Sequence, residues 1–173
     1  MDKIINYLDR NLTIIIHKVN LHKFSNIFSK YIIYFNILIS CYLLYYINFM
    51  IIIYRYFIEL IIINFCFKWL LDRPRPRNSL FKNNKFVSIF EITISKKWKL
   101  NQSFPSGHVA TVYCTYFIVN EYFNNLMLSY FYLFLLFTTI FCRINIGAHH
   151  FTDCIFAILI CRIFFIFNDY FIY

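Results

Sequence analysis

Apolar residues run almost unbroken from Tyr31 to Leu71, from Pro105 to about Glu121, from Leu126 to Cys142 and from about His150 to the C-terminus. The first run, 41 residues long, would reach about 60 Å as helix, enough for two crossings of a hydrocarbon core about 30 Å thick. It predicts a helical hairpin with its turn between Asn48 and Tyr56, where Arg55 and Glu59 lie four apart and can neutralise each other. Each later run is long enough for one crossing. The pattern therefore predicts an all-α protein, a polytopic membrane helical bundle of about five transmembrane helices.

Residues 1–30 differ. Ile, Leu and Phe alternate there with Lys3, Arg10, Lys18, Lys23, Lys30, His17 and His22, and no stretch is apolar enough to span. This segment reads as an interfacial amphipathic helix, apolar side in the headgroups and lysines outward, followed by a membrane-embedded domain over residues 31–173. A disordered basic arm is the alternative. No uncharged core is followed by a small-residue cleavage site, so the start does not read as a cleavable signal peptide. Between Arg77 and Ser103 lies a lysine-rich loop around FVSIFEITI, which suits either a surface lid or a solvated connection.

Composition supports this picture. Of 173 residues 61% are hydrophobic and 23% aromatic, too apolar for a soluble domain of this length. Six single cysteines, Cys41, Cys66, Cys114, Cys142, Cys154 and Cys161, lie scattered in the apolar runs without metal-site or disulfide spacing. They read as core or lipid-facing residues. The only glycines are Gly107 and Gly147, and the only prolines Pro74, Pro76 and Pro105. All five fall in or beside three short polar stretches at the ends of apolar runs, Lys68 to Pro76, Pro105 to His108, and Cys142 to Asp153. A chain otherwise sparing of Gly and Pro places them where a backbone turns tightly or approaches a ligand.

With five crossings all three stretches reach one face of the membrane. Together they bring Lys68, Arg75 with Arg73 and Arg77 beside it, Ser106, Gly107, His108, Arg143, His149 and Asp153. A bound anion with several oxygens accounts best for these cations, imidazoles and hydroxyl and for a glycine amide at a helix start. His149 and Asp153 are four apart, one helical turn, so a carboxylate can hold one imidazole nitrogen and leave the other for chemistry. A structural alternative is a histidine and a charge pair that only cap a helix.

In order and spacing, Lys-x6-Arg-Pro (Lys68 to Pro76), Pro-Ser-Gly-His (105–108) and Arg-x5-His-x3-Asp (Arg143 to Asp153) resemble the type 2 phosphatidic acid phosphatase family. These are membrane lipid phosphate phosphatases whose site is similar to that of vanadium haloperoxidases. The resemblance runs from about Tyr31 to the C-terminus. It implies that His149 attacks phosphorus to form a phosphohistidine while Asp153 fixes its tautomer. It further implies that His108 serves as acid and then base, and that Lys68, Arg75, Ser106, Gly107 and Arg143 hold the phosphoryl oxygens, with no metal or other cofactor. Two features depart from the family pattern. Cys142 stands where Ser usually precedes the Arg, so one hydroxyl donor is missing there, and Arg73-Pro74 competes with Arg75-Pro76, with spacing from Lys68 selecting Arg75.

The expected partners are a lipid phosphate substrate and membrane lipids, not nucleic acid. A polyprenyl diphosphate, phosphatidic acid, phosphatidylglycerol phosphate and a glycolipid phosphate all present the same head. A non-catalytic lipid-phosphate-binding protein and a metalloenzyme using His108, His149, His150 and Asp153 are the competing readings. The compact size fits a multi-pass protein of a bacterial inner membrane. Sidedness draws conflicting signals. Of the 17 Lys and Arg, 15 fall on or near the site's side, with Arg55 and Arg162 opposite, which by the positive-inside rule is cytoplasmic. The family resemblance implies an extracytoplasmic site.

Overall fold

A computed structural model describes residues 2–46, 66–67, 73–76, 80, 102–123 and 125–172. The described residues form five helices and no strand: α1 (Asp2–Lys18), α2 (His22–Tyr46), α3 (Gly107–Phe123), α4 (Leu126–Asn145) and α5 (Phe151–Ile172). The fold class expected from the apolar runs is thus all-helical. Among the described residues, α4 alone is long and apolar enough to cross a membrane; its 20 residues amount to about 30 Å of helix. The hairpin turn, the Arg55–Glu59 pair, most of the 77–103 loop and Lys68 lie outside the described residues.

The N-terminal segment, residues 1–30, holds α1 and the start of α2, and α2 runs on past residue 30 without a break. The polar stripe of α1, Asp9, Thr13 and His17, repeats every four residues and is buried, while Tyr7, Leu8, Leu12 and Ile15 are exposed. Exposed apolar stripes also follow α2 (Phe24, Ile27, Tyr31, Tyr34, Leu38), α4 (Met127, Tyr130, Phe134, Phe137) and α5 (Ile155, Leu159, Ile163, Ile166). Polar residues face in and large hydrophobes face out, the reverse of a surface helix in a water-soluble protein.

Helix α3 is central, packed against α2, α4 and α5, and α1 packs on α4 and α5. Its Val109, Ala110, Val112, Cys114, Ile118 and Val119 are buried against Tyr132, Leu136, Ile140 and Ile144 of α4 and against Cys154, Ala157, Cys161 and Phe165 of α5. Small side chains let α3 and α5 approach closely; the Cys114 and Cys161 sulfurs are 3.9 Å apart, and higher up Phe117 stacks on Phe165 at 4.1 Å. Cys114, Cys142, Cys154 and Cys161 are buried and Cys66 is exposed. The threonines inside the helices, Thr111, Thr115 and Thr139, turn their hydroxyls back to the carbonyls four residues earlier. That satisfies them without water. Helix α3 runs on to Phe123, and the Asn125 side chain accepts from the Leu128 amide at 3.1 Å to cap α4.

Candidate active site

The C-terminus of α4 sets the site. Gly147 takes a positive φ of 66°, so its amide reaches the Ile144 carbonyl at 2.9 Å and the Ala148 amide the Arg143 carbonyl at 3.0 Å. This pair of bonds is a Schellman cap, which a β-carbon at residue 147 would disfavour. It reverses the chain within three residues. His149 is thereby delivered back beside Arg143, its amide 3.3 Å from the Arg143 carbonyl, and both side chains are buried. The six-residue spacing of arginine and histidine thus closes on itself through the glycine.

Asn145 pins this corner to the N-terminal helices. Its amide nitrogen donates to the Ile16 and Val19 carbonyls at 2.9 and 2.8 Å, its side-chain oxygen accepts from Ser25 Oγ at 2.9 Å, and its carbonyl accepts from His17 Nδ1 at 2.6 Å. Every polar atom of the Asn145 side chain is used. Burial lowers the His17 pKa, with the Asn145 carbonyl opposing and His22 adding to the effect. Cys142 is buried with its thiol against the Ser25 hydroxyl of α2.

The His149 ring is held by Ser103. Its Nδ1 lies 2.5 Å from the Ser103 carbonyl. A carbonyl can only accept, so Nδ1 carries the proton, and in the neutral ring Nε2 then holds the lone pair. Ser103 is fixed at three points, because its amide donates to the Arg73 carbonyl at 2.8 Å and its hydroxyl donates to Asp153 Oδ2. The Nδ1 proton therefore goes to a backbone carbonyl, not to the carboxylate that the four-residue spacing suggests. Asp153, fully buried, accepts instead from Arg73 Nη1 at 2.6 Å, from the Ser103 hydroxyl and from the His150 amide at 2.8 Å. Its hold on His149 runs through Ser103.

Arg73, the arginine that spacing passed over, bridges two buried carboxylates. Nη1 meets Asp153, and Nη2 meets Asp9 Oδ2 of α1 at 2.5 Å. Asp9 also accepts from the Thr152 amide and hydroxyl, both at 2.9 Å, and Thr13 Oγ1 takes the Phe151 amide at 3.3 Å. With Asp153 on the His150 amide, the first amides of α5 are all capped by side chains, as a helix N-terminus demands. His150 places Nε2 at 3.3 Å from the Pro74 carbonyl and Nδ1 at 3.9 Å from Asp9. Burial, and then Arg73, hold its pKa below the usual histidine value against the pull of Asp153, Asp9 and the Pro74 carbonyl.

Helix α3 begins beside this network. The Ser106 amide donates to the Asp153 carbonyl at 3.2 Å and the Ser106 carbonyl starts the helix by accepting from Ala110 at 3.0 Å. The Ser106 hydroxyl is fully buried beside the Cys154 thiol and makes no hydrogen bond of good geometry among the described residues. A buried hydroxyl left so is costly unless something else arrives to use it. Gly107 and His108 follow in the first turn, both half-buried.

The structure thus brings His149, Asp153, Ser106, Gly107, His108 and Arg143 to one end of the bundle. Arg75 is buried, and Lys68 lies outside the described residues. Residues that sequence reasoning missed are Ser103, Asp9 and Thr13. Asp9, Thr13 and His17 had a readable signal, a four-residue polar repeat on an otherwise apolar helix; Ser103 had none beyond its nearness to Pro105. Among the described residues no three His, Cys, Asp or Glu cluster as metal ligands.

A family model described as the PAP2 superfamily matches residues 39–171. No curated protein and no solved structure matches the chain.

Proposed function

The chain belongs to the PAP2 superfamily of phosphatases, and from that premise we propose that it is an integral membrane phosphatase that removes phosphate from a lipid phosphomonoester or diphosphate through a phosphohistidine. The observation that carries this reading is the hold on the His149 ring: Nδ1–H on the Ser103 carbonyl leaves Nε2 of the neutral ring to act as nucleophile, and the backbone turn brings Arg143, also buried, to the same corner. A nucleophile needs its lone pair in place before substrate binds.

In this mechanism Nε2 of His149 attacks phosphorus, the bond from phosphorus to the lipid oxygen breaks, and His108 gives its proton to the departing oxygen. His108 then takes a proton from water, which attacks the phosphohistidine and releases inorganic phosphate with His149 regenerated. Arg143, Arg75, Lys68, the Ser106 hydroxyl and the Gly107 amide hold the phosphoryl oxygens, where charge develops. Asp153 steadies the imidazole through Ser103. All of these steps use side chains and backbone of the protein itself.

The outward apolar stripes on α1, α2, α4 and α5 and the length of α4 support a membrane setting. A multi-pass arrangement in a bacterial inner membrane, with the site on the extracytoplasmic face, fits the superfamily reading. The basic bias around the site is what phosphate binding demands, so it weighs less as a marker of sidedness.

The test is phosphate release by detergent-purified protein from a panel of lipid phosphates and diphosphates, with a chelator present, beside His149→Ala. Release that survives chelation and falls by roughly 10⁴-fold or more in the variant is expected. Release lost with the chelator would favour a metalloenzyme. Folded protein that binds phosphate but hydrolyses no lipid would favour a non-catalytic lipid-phosphate-binding role.

A further inference from the structure

Helix α1 lies outside residues 39–171, the span matched by the superfamily model, yet its Asp9 reaches the centre of the site. Its carboxylate is buried and makes two separate kinds of bond. Oδ1 caps the α5 amide at Thr152, and Oδ2 takes Arg73 Nη2 and the Thr152 hydroxyl. Arg73 turns its other nitrogen to Asp153 and Thr152, and its carbonyl takes the Ser103 amide. Ser103 in turn holds Asp153 with its hydroxyl and His149 with its carbonyl. Each link from α1 to the imidazole is therefore a hydrogen bond between groups of fixed direction.

We propose that Asp9 is a positioning residue for this phosphatase: by holding Arg73 and the start of α5, it sets Asp153 and, through Ser103, the direction of the His149 lone pair. This rests on the phosphatase reading given above. Two charges on Arg73 matter here. With Asp9 present the guanidinium is shared between two carboxylates and held from opposite ends, as its planar fork allows. Without the Asp9 charge the guanidinium is restrained at one end only, and Asp153 becomes its sole carboxylate. Arg73 can then pivot on Asp153, taking the segment that carries Ser103 with it. A small misdirection of an attacking atom costs far more rate than its size suggests.

The substitutions separate the two functions of Asp9. Asp9→Asn keeps an acceptor for the Thr152 amide and removes the charge from Arg73; Asp9→Ala removes both; Asp9→Glu keeps the charge. Each is purified in detergent with the full chain and measured for kcat on the best lipid phosphate and for inhibition by vanadate, a mimic of the five-coordinate phosphoryl state. A position effect weakens vanadate inhibition at every molecule, whereas a loss of folded protein lowers the maximal rate and leaves the inhibition constant alone.

Asp9→Asn is expected to lower kcat and weaken vanadate inhibition by between about tenfold and a hundredfold, with Asp9→Glu recovering part of both. Arg73→Gln should match it, and the double variant should be no worse than the poorer single one, since both break one link. Wild-type kcat and vanadate inhibition in Asp9→Asn and Asp9→Ala would overturn the proposal, and so would a lower maximal rate with an unchanged inhibition constant. A wild-type protein that neither hydrolyses lipid phosphates nor binds vanadate would instead remove the phosphatase reading, and this proposal with it.

Discussion

Two helices begin side by side at the site, and their starts are built in opposite ways. Helix α5 opens with its amides taken by Asp153, Thr13 and Asp9, the last two from α1. Helix α3 opens with Ser106, whose buried hydroxyl lies by the Cys154 thiol and makes no hydrogen bond of good geometry among the described residues, followed by Gly107. Both starts carry the partial positive charge of a helix N-terminus. At α5 that charge is already met by carboxylates, which would repel a phosphate. Among the described residues no carboxylate side chain is seen on the α3 amides, and the buried arginine Arg143 belongs to the same end of the bundle. In the proposed mechanism that difference gives the phosphoryl group to α3 and the scaffold to α5.

Substitution at each start breaks the comparison most directly. Ser106→Ala should lower phosphate release by about a hundredfold, as loss of one oxyanion donor does elsewhere, while the unfolding temperature stays the same or rises, because the hydroxyl caps nothing. Thr13→Val, at the α5 start, should do the converse. Loss of a cap costs about 1 kcal/mol of stability, seen as a lower unfolding temperature, with a rate change of less than about threefold. If Ser106→Ala lost stability and kept its rate, the two helix starts would have to exchange roles.

The scaffold side is also the pH-sensitive side. His150 and His17 both have folded pKa values below the ordinary histidine value. The unfolded chain then binds more protons than the folded one as pH falls through about 6.5. Stability is therefore full above that pH and declines below it. Thermal unfolding in detergent between about pH 8 and pH 5 should show the fall, and His150→Gln should reduce its steepness. An unfolding temperature that rose on acidification would contradict the sign.

The smallest effect is expected at Cys142. The family pattern places a serine there, but the thiol is turned to Ser25 on α2, on the pinned side of the corner with Asn145. Cys142→Ser should change phosphate release by less than about threefold. A gain of a hundredfold would place residue 142 among the phosphoryl donors.

Much of the site was legible from residue types and spacing. Gly147 sits where a helix must end and reverse, and the arginine and histidine on either side of it meet as their spacing implied. The start of α3 after Pro105 was readable for the same reason, since it depends on a backbone conformation that few residues favour. The role of Arg73 was not. Spacing from Lys68 selects Arg75 for the phosphoryl group and gives Arg73 no partner, yet Arg73 reaches Asp153, and one-dimensional distance says nothing about which guanidinium a carboxylate will meet. The sequence reads α1 as laying its apolar side in the headgroups with its lysines outward; its large hydrophobes are exposed, and Asp9, Thr13 and His17 turn into the protein.

By itself the sequence determined local matters such as the start of α3 after Pro105 and the reversal at Gly147, but not the break between α1 and α2. Periodicity, caps and turn glycines act over a few residues, so a linear reading captures them. The tertiary structure decided the pairings. That His149 donates to the Ser103 carbonyl, that Asp153 is tied to the imidazole through Ser103, and that Asp9 shares an arginine with Asp153 are contacts across 46 and 50 residues and more. Such partners are chosen by the packing of whole helices, because a buried donor or acceptor takes whichever complementary group the bundle brings within reach.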